Sequence, residues 1–285
     1  VPSKVICLIT FDYELCLGRN FFPADEVLFK PTARAMEVCA QDNIPSTLFA
    51  DVCSVWAHRQ FDLDEYADGF ESQLKDALRQ GHDVQLHLHP HWLASRYNNG
   101  QWLISTDKMY LSELGFGPGD DSAGALVRKG KKYLEALLRP VDADYRCLAF
   151  RAAGLALQPG ATELFKILLG NGFKIDSSVA KNLILKMDTV TIDYTHSPAA
   201  SFWRISAETG PETPADDGIL EIPVGTFQSD LATRIGFLWR RARSLGQMRG
   251  TTISRSKRQS KLANIRSLVL ENLRYLHANP SYILS

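Results

Sequence analysis

The sequence has no apolar run approaching the roughly 20 consecutive residues that a membrane-spanning helix requires, so no segment of it reads as transmembrane. It has no CxxC pair either: the cysteines Cys7, Cys16, Cys39, Cys53 and Cys147 are odd in number and several sit in apolar segments. Buried free thiols are the expectation, and with them a reducing compartment, the cytoplasm. The amino-terminal apolar stretch at 5–9 is too short for a signal peptide and runs into acidic residues, so it reads as a buried strand. A leader removed ahead of this numbering stays open. Net charge is also lacking, at zero over 285 residues. The balance hides an asymmetry, because residues 231–285 hold 11 Lys or Arg against the single acid Glu271, leaving the first 230 residues at −10. A basic end beside an acidic body suggests self-association or contact with an anionic surface. The basic segment interleaves few aromatics, which argues against nucleic acid as its partner.

Apolar strand-like runs alternate with helical patterns, as in parallel sheets with crossover helices. Strands are expected at 5–11, 47–50, 83–89, 146–150, 173–178 and 219–224, with a final one at 281–285. Helices are expected at 31–42, with Ala33, Met36, Val38 and Cys39 on the apolar side, and at 64–80, 123–138 and 161–169. Between them, residues 95–121 carry Tyr97, Trp102, Tyr110 and Phe116 in an elaborated loop near the site. The basic end reads as helices at 231–245 and 262–276 around a polar linker at 250–260. Two units follow: an α/β domain over 1–228 and a basic helical extension over 229–285 that packs on or completes it.

Chemistry concentrates in two places. Four of the seven histidines, His82, His87, His89 and His91, fall within ten residues. On a strand, Val84, Leu86 and Leu88 point to one face while Gln85, His87 and His89 point to the other, and Pro90 ends the pairing so that His91 sits on the exit. Converging imidazoles at a strand end suit zinc or a similar divalent ion. His82 alone reads as a structural histidine. The second place is Thr10-Phe11-Asp12-Tyr13-Glu14, where period two puts Asp12 and Glu14 on one face. One carboxylate can bind metal while the other acts as base toward an activated water.

Taken in order, Thr10-Phe11-Asp12, Gly81-His82-Asp83 through His91, Phe150-Arg151-Ala152-Ala153-Gly154 and Ile175-Asp176-Ser177-Ser178 resemble the motifs of the polysaccharide deacetylase family, carbohydrate esterase family four, over about the first 180 residues. The resemblance implies a distorted (β/α) barrel and one divalent ion, most simply zinc. It implies Asp12 as catalytic base, Arg151 as the group holding that base, His87 and His91 as metal ligands, and Asp176 as the residue orienting an acid histidine. The chain departs from the pattern in several places. Tyr13 stands where a second Asp is usual, which moves the third ligand to Glu14. His89 replaces a frequent aromatic and is a candidate outer-sphere residue or substitute ligand. Ala152-Ala153 replaces a Pro-aromatic pair that helps line the sugar site, so substrate preference should differ. The late strand at 220–224 carries no histidine, leaving His196, His277 or a residue beyond Ser285 as the general acid. Another possibility is that the protein manages without one.

The resemblance implies removal of an acetyl group from an N-acetylated sugar, in surface polysaccharide biosynthesis of the O-antigen, lipopolysaccharide or capsule kind. In the cytoplasm the substrate would be a nucleotide-linked or lipid-linked precursor, and the basic end would rest on anionic membrane or a lipid-diphosphate carrier. Two alternatives stay open: an amidohydrolase on a small non-sugar amide, and a catalytically silent carbohydrate-binding relative.

Overall fold

A computed structural model describes residues 6–15, 23–187, 189–228 and 281–283. The chain runs β1 (Ile9–Tyr13), α1 (Lys30–Gln41), β2 (Ser46–Asp51), α2 (Val52–Gln60), α3 (Asp64–Arg79), β3 (Asp83–Leu88) and α4 (His91–Ala94). It continues through β4 (Arg96–Asn98), β5 (Gln101–Leu103), α5 (Ala123–Leu138), β6 (Ala149–Ala152), α6 (Ala161–Gly170) and β7 (Ile175–Asp176). After these come β8 (Ile184–Lys186), β9 (Thr191–Asp193), β10 (Trp203–Ile205), β11 (Ile219–Glu221), β12 (Thr226–Gln228) and β13 (Ser281–Ile283).

Seven strands form one sheet in the order β1-β2-β3-β6-β7-β11-β10, all parallel except β10, which pairs antiparallel with β11. The class is therefore α/β with a mostly parallel sheet. Among the described pairings β1 and β10 are its two ends, and no closure into a barrel joins them. Short antiparallel pairs, β4–β5, β8–β9 and β12–β13, stand outside this sheet.

The helices expected at 31–42, 64–80, 123–138 and 161–169 form as α1, α3, α5 and α6. Ser122 caps α5 by accepting from Ala125 N, and Pro31 opens α1 at a position that needs no amide hydrogen. The face assigned to α1 is half right: Met36 and Cys39 are buried, whereas Ala33 and Val38 face solvent. In β3, Leu86 and Leu88 face α5 at Gly130, where an added Cβ would lie 2.8 Å from Leu86 Cδ1. A glycine there lets the helix sit directly on the strand. Helix α2 has no counterpart in the sequence reading because it has no polar face: Val52, Cys53, Ser54, Val55, Ala57 and His58 are all buried. Periodicity cannot signal a helix that is covered on most sides.

Loop 95–121 holds the β4–β5 hairpin. Trp102 in this hairpin packs on His58 at 4.7 Å and edge-on against Phe61 and Trp92, so its aromatic surface pins the hairpin to α2 and α4. Cys39, Cys53 and Cys147 are buried free thiols, Cys7 is exposed, and Cys16 lies outside the described residues. The final strand expected at 281–285 is present as β13, while the helices and linker of the basic end, and His277, lie outside the described residues. Among the described residues no helix is long and apolar enough to cross a membrane.

Candidate metal centre and active site

Parallel sheets gather function at the carboxyl ends of their strands, and six polar side chains stand in the last two positions of theirs: Asp12, Asp51, His87, Arg151, Asp176 and Glu221. Across the sheet, Asp51 is in register with His87, and His87 with Arg151.

Tyr13 packs into the core against Phe70 and donates to Gln73, and this turns Glu14, just past the strand, to the side of Asp12. There Glu14 meets His87 of β3 and His89 just past that strand. One ligand atom each from Glu14, His87 and His89 lie within 4.8 Å of one another. Glu14 Oε2 is 3.3 Å from His87 Nε2 and in close ionic contact with His89 Nε2. That second contact lacks hydrogen-bond geometry, and neither ring nitrogen of buried His89 has a hydrogen-bond partner. His87 is oriented from behind, its Nδ1 lying 2.8 Å from the Arg151 carbonyl, so its proton belongs on Nδ1 and its lone pair on Nε2. One carboxylate and two imidazoles with inward-facing, otherwise unsatisfied nitrogens are a donor set suited to a divalent ion. The residues fit a metal.

Electrostatics agree with that fit. Burial works to raise the Glu14 carboxyl, but His89 and His87 outweigh it and hold the group well below the usual carboxylate range. Burial opposes charge on His87, yet the hydrogen bond to Glu14 and the nearby Asp12, Glu14 and Asp51 push it up to about 9. Protons here occupy positions that a cation would take.

His91 opens α4 and is buried, outside the Glu14–His87–His89 group, with its ring centroid 5.4 Å from that of His89. Burial first, then the neighbouring His89, push it down to about 3, and neither of its nitrogens has a partner. His82 is the structural histidine expected, taking Ser46 N on Nδ1 at 3.1 Å. His196 is exposed on a turn after β9, with Asp193 as an electrostatic neighbour.

Arg151 is the centre of the second half of the site. Its Nη1 donates to Asp12 Oδ1 at 2.6 Å, Nη2 to Thr10 Oγ1 and Ser177 Oγ, and Nε to the Ser177 carbonyl, while the guanidinium lies over the Phe49 ring. Thr10, Asp12, Arg151 and Ser177, drawn from three separate segments of the chain, are one bonded unit. Ala152 and Ala153 are both buried.

Two residues escaped the sequence reading. Asp51 lies one residue beyond the strand expected at 47–50 and closes β2. Its Oδ1 caps α2 at Cys53 N and accepts His89 N at 3.0 Å, and burial pushes its carboxyl up to about 6. Glu221 was passed over in the search for a histidine on the late strand. It stands opposite Asp176, both wholly buried. Asp176 takes Ser178 N and Oγ, Glu221 Oε1 takes Val179 N, and Glu221 Oε2 meets no donor. Burial raises both carboxyls, and each raises or hydrogen-bonds the other, so one proton between two acceptors satisfies the pair.

Groups whose folded pKa is raised contribute stability that is complete below the ordinary carboxylate range and is lost as pH rises through the folded values. Glu221→Gln supplies an amide hydrogen in place of the shared proton. The variant is expected to melt roughly 3 °C above the parent at pH 8 and to converge with it toward pH 5. Thermal denaturation at the two pH values checks this, and a variant less stable at pH 8 would contradict it.

No family model, curated protein or solved structure matches the chain.

Proposed function

We propose that this chain is a metal-dependent hydrolase that removes an acetyl group from an N-acetylated sugar during assembly of a surface polysaccharide. The ion, zinc by its donor set, would be held by Glu14, His87 and His89. The observation that carries the reading is the placement of this inward-facing donor set beside a carboxylate, Asp12, fixed by a buried arginine. The order of motifs resembling the polysaccharide deacetylases supports the same reaction, and the barrel those proteins have belongs to this reading too.

A divalent ion bound there supplies Lewis acidity to a carbonyl oxygen and to a water. The remaining work falls to the chain. Asp12, 28% exposed at its side chain, is reachable from solvent and accepts the proton of the attacking water. Arg151 keeps Asp12 aimed, and is itself held by Ser177 and Thr10. The Arg151 carbonyl keeps the His87 lone pair turned toward Glu14.

One observation favours a second reading, a carbohydrate-binding relative without turnover. Asp176, which the resemblance would pair with an acid histidine, is instead engaged by Ser178 and Glu221.

The deciding experiment is elemental analysis of the purified chain together with acetate release from N-acetylated oligosaccharides. About one equivalent of divalent metal is expected in the parent, lost in the His87→Ala, His89→Ala double variant and retained in His91→Ala. Acetate release should follow the metal. A parent that neither carries nor takes up zinc would refute the metal reading. Stoichiometric metal without acetate release would favour the binding protein.

A further inference from the structure

The geometry points to Asp51 as a positioning residue for the metal centre, the carboxylate that sets which nitrogen of His89 carries the proton and which one ligates. The inference rests on the metal reading above and concerns a residue that no motif in the chain assigns.

Three observations meet at Asp51. The side chain is wholly buried at the end of β2, directly across the ladder from His87. Its Oδ1 already holds His89 through that residue's backbone amide at 3.0 Å. Its Oδ2 is buried with no hydrogen-bond partner, and so is Nδ1 of the same His89. A buried carboxylate oxygen lacking a donor and a buried imidazole nitrogen lacking an acceptor are complementary, and here they belong to two residues already tied by their neighbouring atoms. Leaving both unpaired is costly, since each buried group has given up its water without a replacement.

His89 Nε2 is the nitrogen turned to Glu14, so Nδ1 is the one free for support. Histidines that bind metal almost always donate their second ring N–H to a carboxylate, a carbonyl or water. His87 follows this rule through the Arg151 carbonyl. His89 Nδ1 and Asp51 Oδ2 are not in bonding contact in this structure; a turn of the ring that brings them together makes Oδ2 the equivalent acceptor, fixing the tautomer with the proton on Nδ1 and the lone pair on Nε2. His87 in β3 and His89 just beyond its end are then oriented from opposite neighbours in the sheet, His87 from β6 and His89 from β2.

Asp51→Asn separates this role from the capping role. Asparagine caps helices as well as aspartate does, and its carbonyl still accepts from Cys53 N and His89 N. Its amide, however, is a donor where Oδ2 was an acceptor. Facing His89 it favours the opposite tautomer, with the proton on the nitrogen that should ligate.

The test is titration of the full-length metal-free chain with Zn2+, and with Co2+ followed by its visible absorption. The parent is expected to bind one ion. Asp51→Asn is expected to bind it 10–100-fold more weakly, with an altered Co2+ spectrum and an unchanged melting temperature before metal is added. Equal affinity and an identical spectrum in parent and variant would overturn the role of Asp51 while leaving the metal reading intact. A parent that binds neither ion would overturn both. Should Asp51→Asn fail to fold, the parent alone decides: with Zn2+ bound, long-range 1H–15N spectra should place the His89 proton on Nδ1. A proton on Nε2, or a ring unshifted by zinc, overturns the inference.

Discussion

Asp12→Asn is expected to lower turnover by about 10²–10⁴-fold, the usual contribution of a general base, while leaving both the fold and the metal in place. The argument is geometric. Asp12 is not among the residues converging on the metal position, so its charge is not needed to hold the ion. The Asn carbonyl can still accept from Arg151 Nη1, which now lies 2.6 Å from Asp12 Oδ1, so the bonded unit with Thr10 and Ser177 survives. Only proton acceptance is removed. The measurement is acetate release alongside metal content and melting temperature, for parent and variant. Turnover persisting in a metal-loaded variant would dismiss Asp12 as the base.

Arg151→Met is expected to act in the other direction, on stability first, costing about 3–5 kcal/mol. The arginine side chain is nearly inaccessible and makes hydrogen bonds to Asp12, Thr10, the Ser177 hydroxyl and the Ser177 carbonyl. Its removal strips these acceptors of their donor and leaves an uncompensated carboxylate at the edge of the core. Because Asp12 keeps some access to water, the loss should fall toward the lower end of that range. Methionine keeps much of the aliphatic stem, so the loss is that of the polar head, its hydrogen bonds and its stacking over Phe49. Denaturant unfolding measures it. A change under about 1 kcal/mol would mean that the ion pair is screened and contributes little.

Much of this site can be read from the residues, and the reasons differ from one position to the next. The side-chain period of two in a strand predicts that Asp12 and Glu14 share a face and that His87 and His89 share another, and these four are brought together. Periodicity does not show how far a strand runs. The first strand begins four residues later than expected and ends two residues nearer Glu14, the second reaches Asp51, and β7 retains only Ile175 and Asp176 of a longer expected run. The difference between His89 and His91 was also out of reach. Pro90 ends the ladder, and whether the next side chain turns inward with the metal-binding group depends on the single turn of α4, not on spacing. Glu221 was hidden for another reason: its meaning lies in Asp176 across the ladder, and pairing between strands 45 residues apart leaves no trace in local composition. The aromatic residues of loop 95–121 are expected near the site, yet Trp102 is occupied by His58, Phe61 and Trp92. An aromatic residue in a loop looks the same whether its partner is a ligand or a neighbouring helix.

The tether of His87 is a backbone oxygen, and this has an evolutionary corollary. The atom that aims His87 is the carbonyl of the residue whose side chain aims Asp12. Substitution at 151 can erase the second function but cannot touch the first, since every amino acid brings the same carbonyl. On the function proposed above, a lineage that lost the arginine would forfeit its base and keep its grip on His87. Decay along that route would leave behind a protein still poised to hold an ion.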